Sequence, residues 1–363
     1  MKQFRPASVA ALLMLVLSSL LAGGCTGVGP KRLRADRFDY GEAIGDSVQA
    51  QTLTNIVKLR YTEWPTFLEV DMLTASYTMD TTASAKLLQR TWFLGENDQL
   101  EVGGIVRFQE RPTVLYKPLS GPKFVKSILS PPRPAALFAL VQTGWPADMI
   151  LRMTAQAVNG HDNVRLEWGT GFRPESGFAR FVKILRKVQR AQALVLDIKE
   201  EEGRAQITLG FRTRLLDEET RRELEEVKGL IGLDPATHSY RVVWDVEARD
   251  SATLAIHTRS ILQIMVALAA YVEIPAEDIE EGRAAPLDPV PLEDETGLRP
   301  LLRIRSGAAE PRDAHVAVPY RGLWFWIEDT DVYSKRTFAY MQMLLSITES
   351  DEKGGAQLVI TTN

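Results

Sequence analysis

Hydrophobic positions follow two different spacings along this chain, which predicts helices interleaved with strands. Apolar residues recur every three or four positions in some segments, as in amphipathic helices, and alternate or run continuously in others, as in strands. The first spacing predicts helices over 46–61, 121–129, 134–141, 176–193, 217–231, 258–271 and 334–346. The second predicts strands over 67–79, 102–108, 113–116, 149–158, 193–198, 205–211, 239–246, 301–305, 315–318, 323–327 and 358–361.

The order of these elements indicates the fold class. Two hairpins are predicted, one turning at 110–112 and the other at 200–203. Because strands often follow one another directly, the pattern favours an α+β fold with mainly antiparallel sheets packed with amphipathic helices. Trp324 and Trp326 alternate with Phe325 and Ile327, so both faces of that strand are apolar. We expect either a central strand that is buried on both faces or a strand with one face covered by a partner.

The first 25 residues have the pattern of an export signal. Lys2 and Arg5 precede an apolar run, and small residues close it just before Cys25. A basic start, an apolar stretch and small residues are typical of a secretory signal peptide. The uninterrupted apolar run is shorter than the ~20 residues that a membrane-spanning helix needs.

The segment Ala22-Gly23-Gly24-Cys25 resembles the lipobox of bacterial lipoproteins. That resemblance implies cleavage after Gly24, diacylation of the Cys25 thiol and acylation of the new amine. Thr26 follows the cysteine, where lipoproteins retained in the inner membrane tend to have aspartate. The resemblance therefore implies a lipid anchor in the outer membrane facing the periplasm, with the periplasmic face of the inner membrane as the alternative.

These features divide the chain into a signal peptide at 1–24, a lipidated spacer at 25–37 and one large α+β body at 38–363. The body forms either a single unit or two lobes. Within it, residues 277–297 are rich in acids and prolines, which predicts an exposed loop.

Composition excludes several classes of function. The formal charge of −4 becomes −6 once Lys2 and Arg5 are removed, so no basic surface for nucleic acid is expected. A hydrophobic content of 45% over 363 residues supports a large core. Cys25 is the only cysteine, so stability must come from packing without a disulfide. No motif for a cofactor is present, and none is expected.

Ser120 and Lys123 are the only nameable catalytic candidates. They fit Ser-x-x-Lys, in which a lysine amine takes the proton of a nucleophilic serine in penicillin-binding proteins and serine β-lactamases. The companion motifs Ser-Asp-Asn and Lys-Thr-Gly do not occur in the sequence. The alternative interpretation is that Ser120 caps the helix that follows it.

Candidate binding residues are also few. The four histidines, His161, His238, His257 and His315, have no metal-ligand spacing, and the acids around Asp329 lack the pattern of a calcium loop, so no metal site is expected. A basic stripe at 180–190 either faces solvent or contacts anionic lipid or envelope polymer; it consists of Arg180, Lys183, Arg186, Lys187 and Arg190.

Five short segments together resemble a family of uncharacterised bacterial envelope proteins, many of which have lipoprotein signals. These are residues 55–61, 65–70, 144–146, 324–329 and 334–338. The resemblance implies one coherent unit and supplies no catalytic residues. The leading hypothesis is a non-catalytic binding or scaffold protein with envelope protein partners. The alternatives are an envelope hydrolase whose site is assembled from distant residues and a carrier of lipids or other small ligands.

Overall fold

Helices and largely antiparallel sheets make up an α+β fold, as the sequence predicts. The computed structural model describes residues 28–88, 99–163, 176–201, 204–287, 298–349 and 357–362. The signal peptide and Cys25 lie outside this range. The chain divides into one unit that ends at Gln49 and a second that runs from Ala50 to Asn363. The second unit contains the sheets and the core.

The helices confirm most of the segments that show helical spacing. They are α1 (Val28–Arg60), α2 (Pro122–Leu129), α3 (Pro134–Gln142), α4 (Ala147–Thr154), α5 (Ser176–Arg190), α6 (Glu218–Leu230), α7 (Ile261–Ala269), α8 (Ala276–Glu280) and α9 (Val332–Glu349). The helix that was predicted over 46–61 therefore begins much earlier, at Val28, and includes part of the predicted spacer. Among the described residues, no helix is both long and apolar enough to cross a membrane.

The strands form three sheets. They are β1 (Leu68–Leu88), β2 (Gln99–Pro118), β3 (Ala155–Val158), β4 (His161–Asp162), β5 (Leu194–Glu201), β6 (Arg204–Phe211), β7 (Ser239–Val243), β8 (Thr253–Thr258), β9 (Arg305–Gly307), β10 (Ala314–Tyr320), β11 (Leu323–Glu328) and β12 (Gln357–Thr362). The pairs β1–β12 and β7–β8 are parallel, and the other named pairs are antiparallel.

The largest sheet has six strands in the order β4-β3-β8-β7-β6-β5. Helix α5 packs against α4 and α6 and contacts β4 and β5, so it lies over the sheet. Its buried side includes Phe178, Val182 and Leu185, which are fully shielded from solvent, as are Leu254 and Ile256 of β8. Burial of such side chains, worth about 1.5–3 kcal/mol each, is the main source of stability.

The second sheet has the order β10-β11-β9, and β11 is central as predicted. Phe325 and Ile327 are fully buried, whereas the two tryptophans on the other face are half-buried. Arg321 and Gly322 join β10 to β11 with positive φ angles of 50° and 82°. Two positive φ angles in a two-residue connection define the type I′ turn, which matches the twist of a hairpin.

The third sheet corrects the prediction of a hairpin turn at 110–112, which was wrong. Strand β2 runs without interruption through Pro112 and pairs along its length with β1, so residues 102–108 and 113–116 belong to one strand. A proline is tolerated there because β2 is an edge strand and needs backbone bonds on one side only.

Three further segments differ from the expectations. Residues 147–154 form helix α4 where a strand was predicted over 149–158, because the apolar run of Met149, Ile150 and Leu151 leads into strand β3 with no glycine or proline between the two elements. Strand β8 was not predicted. Part of the predicted acidic loop forms α8, with Asp278 buried, and residues 288–297 lie outside the described range.

Candidate functional site

The beginning of α9 brings distant parts of the second unit together. Asp331 caps this helix, because its carboxylate accepts bonds from the Ser334 backbone N–H (3.0 Å) and hydroxyl (2.7 Å). The Ser334 hydroxyl oxygen also accepts a bond from the backbone N–H of Arg303 (3.0 Å). The cap therefore fixes the segment before β9 against the helix.

A cleft of about 480 Å³ opens beside this cap, and we call it the first cleft. It is lined by Arg299, Pro300, Leu302, Arg303, Asp331, Tyr333 and Ser334. Its two arginines provide positive charge, and Asp331, the only carboxylate among its described lining residues, already serves as the helix cap. Within the described part of the chain, Arg303 makes no ion pair.

Arg152 of α4 lies behind the first cleft and binds two of its lining residues. Its side chain donates to the carbonyl oxygen of Arg299 (2.6 Å) and to the Tyr333 hydroxyl (3.2 Å). Arg259 lies beside it, is 4% exposed and donates to the Arg152 carbonyl oxygen (3.3 Å). Burial lowers the pKa of Arg259 to about 10. The Arg259 guanidinium therefore stays charged at neutral pH in the wall behind the cleft.

Tyrosines complete this wall. Burial raises the pKa of Tyr333 and of Tyr271, and the charge of Arg152 opposes that effect in both cases. Because an ordinary tyrosine already has a pKa near 10, both phenols are neutral at physiological pH. The wall behind the cleft therefore retains its net positive charge.

A second cleft of about 390 Å³ lies near the first turns of the same helix. It is lined by Thr143, Gly144, Trp145, Pro146, Arg186 and Arg336. Trp145 packs on Tyr340 of α9 with ring centroids 5.5 Å apart, which holds the loop before α4 against α9.

The charge of the second cleft is also positive. Arg186 lies 3.6 Å from the carboxylate of Asp148 and donates to the Gln189 side chain (2.6 Å). Burial lowers the pKa of Arg186, Asp148 opposes this, and the neighbouring charges of Arg190 and Arg336 lower it further. Arg336 makes no ion pair among the described residues. The Arg186 guanidinium is thus near one carboxylate, Asp148, and two further cations, Arg190 and Arg336.

We call these two sites the arginine clefts. A guanidinium group presents planar donors that match phosphate or carboxylate oxygens in pairs, and it stays charged at any physiological pH. Asp148 pairs with Arg186 and Asp331 caps α9, whereas Arg303 and Arg336 make no ion pair among the described residues. The arrangement is suited to binding an anion.

The basic stripe on α5 is divided between two roles. Arg180 pairs with Glu226 (3.2 Å) and Lys187 pairs with Glu223 (2.5 Å), both on α6 and largely exposed. Exposed pairs of this kind contribute little, at most about 1 kcal/mol. Arg186 alone among the five lines one of the arginine clefts.

The Ser120–Lys123 candidate gains no support. The N-cap position of α2 is Gly121, without a side-chain hydrogen bond, so the interpretation of Ser120 as a cap is wrong. Ser120 is exposed, and the Lys123 side chain is outside the described set. Ser120 does not line the arginine clefts.

The histidines do not form a metal site. His161 and His257 lie on β4 and β8, the two strands that flank β3, and His315 packs edge-on against Phe338 (6.3 Å). In the described part of the chain, no three His, Cys, Asp or Glu side chains converge to hold a metal.

Another polar cluster joins the end of α1 to the β10–β11 turn. Tyr61 donates to Asp278, which also binds Arg283 (2.7 Å). Glu63 accepts from Tyr320 and from Arg321 (2.5 Å). Each charged group in this cluster has a partner within it, so we interpret the cluster as a structural clamp.

No protein-family model, curated protein or solved structure matches this chain. The residues that sequence reasoning missed are Arg152, Arg299 and Arg303, which show no motif. The sequence contained a partial indication of the second cleft. Two segments on which the resemblance rests, 144–146 and 334–338, both contribute residues to its lining.

Proposed function

We propose that this protein is a lipid-anchored, non-catalytic component of the bacterial envelope that binds an anionic ligand through the arginine clefts. The ligand class is a multiply charged phosphate- or carboxylate-bearing envelope molecule. The observation that carries the proposal is that the described lining residues of the two clefts include four arginines and one carboxylate, Asp331. The sequence supports the anchor through Cys25.

The clefts suit binding because their positive charge is held in place before any ligand arrives. Arg152 and the Asp331 cap position the Arg299–Arg303 segment, and Asp148 and Gln189 orient Arg186. Groups that are ordered in advance lose less conformational entropy on binding. Hydrogen bonds to charged groups contribute about 1.5–3 kcal/mol each, so loss of one contact should weaken binding about 10- to 100-fold.

Calorimetric titration of the full-length mature protein with inorganic pyrophosphate at fixed ionic strength tests the proposal. We expect saturable binding that weakens at least about tenfold in Arg303→Ala or Arg336→Ala. Arg180→Ala is the matched control, because it removes an equally charged side chain that pairs with Glu226 away from the clefts. Absence of binding, or an equal loss in the control, would contradict the proposal.

The anchor is tested separately. We expect metabolic labelling with palmitate to mark the wild type and to leave Cys25→Ser unlabelled, with the wild type fractionating with the outer membrane. Recovery in the inner membrane would support the alternative location. Capture of the tagged protein from envelopes in mild detergent should then yield a stoichiometric envelope protein partner, as the scaffold interpretation expects.

A further inference from the structure

The two arginine clefts lie about one helical turn apart on each of two helices. On α9, Tyr333 lines the first cleft and Arg336 lines the second. On α4, Arg152 donates to the Tyr333 hydroxyl (3.2 Å), behind the first cleft. Asp148 of the same helix lies 3.6 Å from the guanidinium group of Arg186, in the second cleft. Because residues three or four positions apart on a helix have Cβ atoms ~5–6 Å apart, the two clefts are neighbours.

Tyr333 lies near the charged groups of both clefts. Burial raises its pKa, the charge of Arg152 opposes this effect, and the charge of Asp148 adds to it. Asp148 is also the partner of Arg186 in the second cleft. In the described part of the chain the Tyr333 hydroxyl only accepts, from Arg152, so its own proton can be donated to an oxygen of a ligand. A ligand that extends from one cleft to the other therefore meets a hydrogen-bond donor between them.

Positive charge is divided evenly between the clefts. The described lining residues include two arginines in each cleft, Arg299 and Arg303 in the first and Arg186 and Arg336 in the second. Asp148 offsets part of the charge of Arg186, whereas Arg336 makes no ion pair among the described residues. A phosphate monoester has a charge of about −1.5 to −2 at neutral pH, which is the charge that two guanidinium groups balance. Each cleft is therefore suited to one phosphate group.

We propose that the two clefts together bind one molecule that carries two phosphate groups on a short spacer, with one phosphate in each cleft. This inference rests on the proposed function, because it specifies the class of anion that the arginine clefts bind. Binding of the first phosphate holds the second close to the other cleft, so the second contact costs little further translational freedom. A linked ligand of this kind binds roughly 10²–10⁴-fold more tightly than either group alone.

Calorimetric titration of the full-length mature protein with a series of alkane diphosphonates tests the proposal. The two phosphonates stand at the ends of spacers that range from one carbon to ten, so every member has the same charged groups. We expect the affinity to pass through a maximum at an intermediate spacer, at least about tenfold above the shortest and longest members, which are the matched controls. One diphosphonate should bind per chain at that maximum. An affinity that does not depend on spacer length would overturn the proposal.

Variants of the two clefts show whether both take part. In Arg303→Ala and in Arg336→Ala, each of which weakens one cleft, the maximum should disappear and all spacers should bind with similar affinity. Arg180→Ala, which removes a charge outside the clefts, should keep the maximum. A maximum that persists in either cleft variant would overturn the proposal, because the second phosphate would then lie elsewhere.

The same titrations separate this inference from the proposed function. Pyrophosphate binding that requires Arg303 or Arg336, without any effect of spacer length, would overturn the inference and leave the proposed function standing. Absence of binding by pyrophosphate and by every diphosphonate would overturn both. Where the maximum is found, co-sedimentation with vesicles of cardiolipin or of phosphatidylglycerol at equal total phosphate distinguishes the source of the ligand. Preference for cardiolipin, whose two phosphates are joined through glycerol, indicates a lipid headgroup, and equal retention indicates a soluble molecule.

Discussion

At the scale of single residues, Gly177 shows how one close contact restricts the sequence. A Cβ atom at this position of α5 would lie 2.5 Å from Nδ1 of His161, whose ring packs directly over it. We expect Gly177→Ala to lower the free energy of unfolding by about 1–3 kcal/mol, because ring and helix must separate. Urea denaturation measures this change.

Gly229→Ala is the control for this prediction. It places the same methyl group in α6, where no atom lies within 4 Å. Alanine is the better helix former, so this variant should be neutral or more stable by about 0.5–1 kcal/mol. Similar results for both variants would contradict the steric argument.

The clamp between Tyr61 and Asp278 makes stability depend on pH. The bond that Tyr61 donates lowers the pKa of Asp278 below its ordinary 3.8, and the bond from Tyr320 lowers the pKa of Glu63 below 4.5. Folding therefore favours the charged carboxylates. Their stabilising effect is complete above the ordinary pKa values and is lost as the pH falls through the lowered ones.

Thermal melts between about pH 5 and about pH 3 measure this effect. We expect the melting temperature of the wild type to fall more steeply over this range than that of the double variant Glu63→Gln, Asp278→Asn. Tyr61→Phe should flatten the curve in part, because it removes only one donor. Parallel curves for all three proteins would show that the clamp does not govern the acid response.

At the scale of elements, α7 depends on a reciprocal cap. The Ser260 hydroxyl accepts from the Gln263 backbone N–H (3.2 Å), and the Gln263 side chain accepts from the Ser260 backbone N–H (2.8 Å). Ser260→Ala should cost about 1 kcal/mol in chemical denaturation. Arg133→Ala, at the N-cap of α3 without a side-chain bond, should cost almost nothing. A comparable loss in both would contradict the capping argument.

The elements also show what local pattern can and cannot predict. Helices α5 and α6 were predictable because each has one buried stripe and one solvated face. Helix α4 was not, because nearly all of its residues are buried and its apolar run resembles a strand. The true partner of β2 was missed for a different reason: Glu-Arg-Pro resembles a turn, and only the long-range pairing with β1 keeps it extended.

At the scale of the whole molecule, the arginine clefts could not be predicted because their residues come from remote segments. Arg152 and Tyr333 are 181 positions apart and Arg303 and Ser334 are 31 apart, with no motif linking them. A motif search detects groups at fixed spacing along the chain, whereas these groups meet only after the body folds. The sequence indicated only that several short segments belong together.

The same convergence predicts that Arg152 couples stability to ligand binding. Arg152→Met removes the bonds to the Arg299 carbonyl oxygen and the Tyr333 hydroxyl, so we expect unfolding to become easier by about 2–3 kcal/mol. Pyrophosphate affinity should fall as well, since Arg299 loses its anchor although Arg152 does not line the cleft. Exposed Arg249, whose side chain is 86% accessible, provides the control Arg249→Met, which should change neither quantity. Denaturation and calorimetry on the same samples measure both effects, and a stability loss with unchanged affinity would show that Arg152 does not position the first cleft.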